Sequence, residues 1–179
     1  MTLPTIVTQR LLLRPFIRED ALIVQRLAGA YEVASKTLNI PHPYPNGMAE
    51  DWIASHGPEW EAKTSLTLAV TLRTKMPDSQ AIIGAVGLGL CLRHQRAELG
   101  YWLGTPYWNR GYTTEAAAAL VNFGFDTLTL NRIEAGHYRS NPASGRVMQK
   151  LGMQQEGILR QHILRFGKFE DRVVYGLLA

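Results

Sequence analysis

Trp108-Asn109-Arg110-Gly111-Tyr112-Thr113-Thr114-Glu115-Ala116 joins a strand-like run, Ala97 to Leu103, to a long alanine-rich helical pattern, Ala116 to Leu128. A strand that turns sharply into a helix start exposes several unpaired backbone N–H groups, all aimed one way. Those groups and the positive end of the helix dipole favour phosphate oxygens. Gly111 has no Cβ, so a ligand can come close to the backbone, and Thr113 and Thr114 add hydroxyls at the same end. The stretch reads as a pyrophosphate cradle for a nucleotide-like cofactor. Asn, Gly and Thr also cap ordinary helices, so the segment alone leaves both readings open. Neither of the commonest phosphate loops is present. There is no G-x-x-x-x-G-K-[ST], and Gly84, Gly87 and Gly89 sit in a strand-like stretch without completing G-x-G-x-x-G.

Working outward, Ser65 to Leu72, Ala81 to Leu90 and Ala97 to Leu103 read as an antiparallel meander, with turns at Met76-Pro77-Asp78-Ser79 and Arg93-His94-Gln95-Arg96. The helix after the cradle crosses to a strand at Arg132 to Tyr138. A helical crossover makes neighbouring strands parallel, so the sheet is mixed, with the cradle at its parallel step. Sheets of this kind bind ligands beyond the carboxyl ends of their strands. Upstream, Gln9 to Phe16 reads as a first strand, and Arg18-Glu19-Asp20 opens an amphipathic helix through Ala28. Pro41, Pro43 and Pro45 impose an extended loop that exposes His42 and Tyr44. A helical region from Met48 to Lys63 is interrupted near Gly57-Pro58. Downstream, Asn141-Pro142-Ala143-Ser144 starts a short helix that ends at Leu151-Gly152. Two last strands, Met153 to Leu164 and Asp171 to Leu178, flank a turn at Phe166-Gly167-Lys168.

The 179 residues, 46% hydrophobic and 19% charged, suit one globular domain with a sizeable core. No apolar run is long enough to cross a bilayer, and no secretory signal is visible at the start of the chain. The lone Cys91 excludes an internal disulfide and fits a reducing compartment, so a cytoplasmic location is expected. Net charge is +4 and the pI is about 9.4, which suits an anionic cofactor. No block of consecutive Lys or Arg marks a nucleic-acid groove, and the five histidines lack metal-ligand spacing.

Glu98-Leu99-Gly100-Tyr101-Trp102-Leu103, the cradle, Asn141-Pro142-Ala143-Ser144 and Lys150-Leu151-Gly152-Met153 together resemble the GNAT N-acetyltransferases, most closely the RimJ/RimL branch. Gln9-Arg10-Leu11-Leu12-Leu13-Arg14-Pro15 resembles the opening strand of that branch. The resemblance runs from Thr8 to Leu178, so residues 8–178 are expected to form a single acetyltransferase domain. It implies an α/β (mixed α+β) fold with a centrally splayed mixed sheet flanked by helices, and acetyl-CoA as donor. It places the pantetheine arm along the strand ending Tyr101-Trp102-Leu103 and the pyrophosphate on Asn109, Arg110, Gly111, Tyr112, Thr113 and Thr114, with Asn141 also touching the cofactor. The family often has Gly or Ala where this chain has Thr113. The implied acceptor is a primary amine, either a protein N-terminus of the ribosomal type or a small molecule. The implied assembly is a monomer or a homodimer, with no nucleic-acid or membrane partner. A non-catalytic acetyl-CoA sensor is the alternative from another class.

Acetyl transfer to an amine needs a base for the ammonium, a hydrogen bond for the thioester oxygen and a proton for the thiolate. Glu98 is the first candidate base, on the strand that the resemblance assigns to the thioester; Glu156, after the last short helix, is its rival. Ser144 is the candidate acid, or a first-turn cap. His137, beside Tyr138, reads as a base or a structural histidine, and Cys91 as a possible acyl carrier with only His94 near it in sequence. Trp52, Trp60 and Tyr44 fall in the region that shapes the acceptor pocket in this fold, or are simply core.

Overall fold

The pairing of strands around the cradle is the feature that positions everything else. The computed structural model describes residues 2–73 and 81–179, so the turn expected at Met76–Ser79 lies outside the described residues. The described strands are β1 (Ile6–Val7), β2 (Leu11–Arg14), β3 (Ser65–Leu72), β4 (Ile82–Cys91), β5 (Arg96–Leu103), β6 (Arg132–Tyr138), β7 (Gln154–Arg165) and β8 (Lys168–Leu178). The helices are α1 (Ala21–Ala28), α2 (Tyr31–Ala34), α3 (Met48–Glu61), α4 (Tyr112–Asp126) and α5 (Pro142–Lys150). The strands form one open mixed sheet in the order β1-β2-β3-β4-β5-β6-β8-β7. Every neighbouring pair is antiparallel except β5 and β6, which α4 connects as a parallel pair.

That parallel pair opens like a V. Pairing covers Arg96 to Glu98 of β5 against Arg132 to Glu134 of β6 and then stops, although β5 runs to Leu103 and β6 to Tyr138. Each strand stays fully paired on its other side, β5 with β4 and β6 with β8. Beyond Glu98 the edge of β5 that faces β6 therefore presents backbone donors and acceptors with no strand partner.

Alternation along β5 sets the two faces of the sheet. Ala97, Leu99 and Leu103 pack with Ala116, Ala117 and Leu120 of α4 on one face. Trp102 packs on the other, with Ala21, Val24 and Ala28 of α1 and Ala49 of α3. Glu98 shares the Trp102 face, whereas Tyr101 shares the α4 face.

Several expectations need correction. The first strand is shorter than Gln9 to Phe16. Pro15 has no N–H to continue the ladder, and Leu11 N–H turns back onto Thr8 Oγ1 at 2.9 Å, which starts the strand at Leu11. Helix α3 runs unbroken through Pro58. Proline forfeits one intrahelical bond but its φ is helix-compatible, and the burial of Ala49, His56 and Trp60 keeps the turn in place. Tyr44 is half-buried against the α1–α3 cluster rather than exposed, while His42 is exposed. β8 begins at Lys168 rather than Asp171, because Lys168 to Glu170 continue the ladder with Ile163 to Arg165, while β7 keeps its expected length one residue further on.

His56 of α3 is 3% exposed, edge-on to Trp52 and near Phe16, with ring centroids 4.5 and 5.3 Å away. Neither ring nitrogen has a hydrogen-bond partner among the described residues. Burial lowers its pKa from 6.5 to about 4, against a smaller opposing pull from Glu59. The unfolded chain takes up this proton near pH 6.5 and the folded chain only near 4. The stability linked to His56 is thus fully present above 6.5 and lost as the pH falls through that window. The melting temperature is expected to drop between pH 6.5 and 4, with a flatter profile in His56→Leu. Equal slopes in the two proteins would remove His56 as the cause.

Candidate active site

The cradle follows directly from the end of β5. After Leu103 a short 3-10 turn, Thr105–Tyr107, leads to Asn109 at φ +60° and Gly111 at φ +77°. Gly111 is the N-cap of α4, and no side chain caps it. Glu115 N–H already closes on Gly111 O at 3.1 Å, which leaves the amides of Tyr112, Thr113 and Thr114 without an intrahelical acceptor. The turn between β1 and β2 buckles this segment from outside. Arg10 Nε donates to Glu115 Oε2 at 2.6 Å, Arg10 N–H and Thr8 Oγ1 donate to Glu115 Oε1 at 2.8 and 2.6 Å, and Arg10 Nη1 donates to Arg110 O at 3.0 Å. In a trans peptide the C=O and N–H point opposite ways, so tying Arg110 O to Arg10 turns Gly111 N–H away from Arg10. The Arg10 guanidinium also covers the Tyr112 ring, 4.8 Å from its centroid.

A cavity of about 470 Å3 lies between this turn, the free edge of β5 and α5. Of the residues expected to bind cofactor, Tyr101, Trp102, Leu103, Asn109, Gly111, Thr113, Thr114 and Asn141 line it, whereas Arg110 and Tyr112 do not. The Arg110 carbonyl and the Tyr112 ring are turned toward Arg10. The sequence reading missed Arg146 and Lys150, one helical turn apart on α5, and Lys36 and Thr37 after α2. The i, i+4 spacing of Arg146 and Lys150 was the available signal. Lys36 and Thr37 reach the cavity only by tertiary packing.

A second cavity, of about 440 Å3, opens on the Glu98 face. The two share Lys36, Thr37, Tyr101, Trp102 and Ser144, so they meet at the gap between β5 and β6. Glu98 stands where the strands part. Its Oε1 accepts from Arg172 Nη2 of β8, and the Arg172 side chain reaches it by lying across Gly136. A Cβ at Gly136 would come within 2.4 Å of Arg172 Nε, so a larger residue there would push this arginine off its path to Glu98.

Ser144 occupies the first turn of α5. Asn141 holds the N-cap position but makes no side-chain cap hydrogen bond. Ser144 Oγ lies 3.0 Å from Tyr101 Oη, which is also 3.1 Å from Ser144 O. Burial pushes the Tyr101 phenol up to about 12, only partly offset by this hydrogen bond, so it stays protonated at neutral pH. The sequence reading used Tyr101 only for its backbone; its hydroxyl meets Ser144 because residue 101 points to the α5 face.

Other candidates fall elsewhere. Glu156 is forked by Arg132 Nη1 and Nη2 at 2.7 and 2.5 Å, which holds its carboxyl below the usual range, and it lines neither cavity. His137 lines the second cavity, but its Nδ1 is 2.7 Å from Tyr138 O and its ring lies against Gly145 of α5. Cys91 closes β4 at the end remote from Tyr101, in register with Arg96, and lines neither cavity. Trp52 lines the second cavity. Trp60 is buried and donates to Thr2 O at 3.2 Å, and neither it nor Tyr44 reaches either cavity. Among the described residues no group of three or more His, Cys, Asp or Glu is placed to hold a metal ion, and no helix is long and apolar enough to cross a membrane.

A splayed parallel pair, an uncapped helix N-terminus at its mouth and a cavity on each side make up the candidate site. The acetyltransferase (GNAT) domain model matches residues 10–154, and the chain belongs to that family of acyltransferases as an N-acetyltransferase. YoaA of Bacillus subtilis (strain 168), an uncharacterized N-acetyltransferase, is 30% identical over 176 residues, 98% of this chain and 97% of its own. The ribosomal protein uS5-alanine N-acetyltransferase of Escherichia coli (strain K12) is 29% identical over 103 residues, 56% of this chain and 53% of its own. A GNAT-family acetyltransferase of Bacillus anthracis shares the fold, with a TM-score of 0.83 at 24% identity and 98% of both chains covered.

Proposed function

We propose that residues 8–178 act as one cytoplasmic acetyltransferase domain that moves an acetyl group from acetyl-CoA to the N-terminal amine of a peptide, by direct attack on the thioester. The observation that carries the proposal is the gap itself. Glu98 stands on one side of it, the Tyr101–Ser144 hydroxyl pair borders it, and the two cavities meet in it. Peptide N-termini are favoured over other amines by the likeness to the uS5-alanine enzyme.

The residues present fit acetyl-CoA. Gly111, Thr113 and Thr114 bring the uncapped start of α4 to the cavity, Arg146 and Lys150 add positive charge beside it, and the unpaired edge of β5 offers amide partners to a pantetheine arm. When bound, acetyl-CoA supplies the activated acyl group. Glu98 takes the proton from the incoming ammonium, directly or through water. Tyr101, kept protonated by burial, and Ser144 pass a proton to the departing thiolate. Glu156 is bound up with Arg132 and plays no part in proton transfer.

Thiol release and mass shift with a panel of peptides, polyamines, amino acids and antibiotics test this function. Acetylation confined to a small-molecule amine would overturn the peptide reading, and absence of turnover with every amine would point to a sensor. The thiolate is a fair leaving group, with a reference thiol pKa of about 8.5, so losing its proton donor costs less than losing the base. Ser144→Ala is expected to lower turnover modestly, Tyr101→Phe more, and both should keep their affinity for acetyl-CoA. Cys91→Ala should stay active. Wild-type turnover in Tyr101→Phe would move the proton donor elsewhere.

A further inference from the structure

The acceptor cavity carries more donor capacity than its own carboxylate uses. Among its described lining residues the charged side chains are Lys36, Arg172 and Glu98, two cations against one anion. Arg172 Nη2 bonds Glu98, but a guanidinium has five N–H donors and can hold a second carboxylate at the same time. Tyr138 lines the same cavity at 5% exposure, and its hydroxyl has no hydrogen-bond partner among the described residues. Tyr138 and Arg172 are register partners on β6 and β8, so both come from adjacent positions on one face of the sheet.

A buried hydroxyl without an acceptor destabilises the free protein, and an anion placed beside it would satisfy it. We propose that Arg172 and Tyr138 form an anion subsite next to Glu98, and that the acceptor carries a carboxylate beside its reacting amine. A peptide N-terminus with an acidic residue at its first or second position fits, and a free α-amino acid shares the chemistry. This inference rests on the placement of the acceptor amine at Glu98. A polyamine is disfavoured, because its further ammonium groups meet Lys36 and Arg172.

The test uses acceptors with the same α-amine and different neighbouring charge, Ala-Glu, Ala-Gln and Ala-Lys peptides and alanine against alaninamide, followed by thiol release and by mass spectrometry that places the acetyl group on the α-amine. In the wild type kcat/KM is expected to be about tenfold higher for Ala-Glu than for Ala-Gln, and lowest for Ala-Lys. Arg172→Gln and Tyr138→Phe should each bring the Glu-to-Gln ratio to within about twofold, with acetyl-CoA affinity unchanged. Tyr138→Phe removes only an unpartnered hydroxyl, so its melting temperature should hold or rise, which separates recognition from folding. Equal rates on Ala-Glu and Ala-Gln, a preference for Ala-Lys, or a ratio that survives both substitutions would overturn the subsite. Should every peptide fail while alanine outpaces alaninamide, the peptide reading falls and the anion subsite stands. Turnover of polyamines alone would sink both.

Discussion

Glu98→Gln is expected to slow acetyl transfer by about 10²–10⁴-fold at neutral pH, the range typical of a lost general base. A peptide α-amine has a pKa of about 7.7–8.0, so at neutral pH it is mostly ammonium and must shed a proton before it can attack. Glutamine keeps the shape of the side chain and can still meet Arg172, but it accepts no proton. The deficit should therefore shrink as the pH rises past 8 and the free amine accumulates. Glu156→Gln should stay near the wild-type rate, since its carboxylate is forked by Arg132 and touches neither cavity. A wild-type pH profile in Glu98→Gln, or a large loss in Glu156→Gln, would transfer the base to the other glutamate.

Gly111→Val should weaken acetyl-CoA binding by about tenfold or more. A Cβ at Gly111 would meet Arg10 Nη2 at 3.4 Å, so valine's branches crowd the arginine that buckles this turn and disturb the amides it holds in place. It also forces a β-branched residue to φ +77°, a strain of roughly 1–2 kcal/mol. Gly111→Asn separates the two effects. Asparagine tolerates positive φ, so it should melt close to the wild type while still crowding Arg10. Calorimetry with coenzyme A that finds unchanged affinity in folded Gly111→Asn and Gly111→Val would remove the cradle from cofactor binding.

How far the chain could be read in advance differs from element to element. The strand-turn-helix step around Gly111, the parallel placement of Arg132 to Tyr138 and the start of α5 after Asn141-Pro142 were legible, because each rests on a local signal. Pro58 misled for the same reason. Its local penalty is real, but the packing of the surrounding face outweighs it. Arg110 and Tyr112 belong to the cradle in sequence yet turn outward, since Arg10, a hundred residues upstream, holds that side of the turn.

The mixed sheet, the strand-turn-helix step at Gly111 and the residue types from which a base and an acid could be drawn were all legible in the chain, although α4 starts at Tyr112, four residues before the expected Ala116. These follow from periodicity, capping chemistry and side-chain protonation, which act over a few residues. Which residues meet depends on how the strands pair and pack. The β5–β6 pairing ends at Glu98 and opens the sheet there. Strand alternation sends Tyr101 to Ser144 on one face and leaves Glu98 on the other. The register of β6 with β8 lets Arg172 reach Glu98 over Gly136 and leaves Glu156 with Arg132. Such partnerships span from 24 to 74 positions of chain. They are fixed by which backbone edges pair, a property that no short stretch of residues carries.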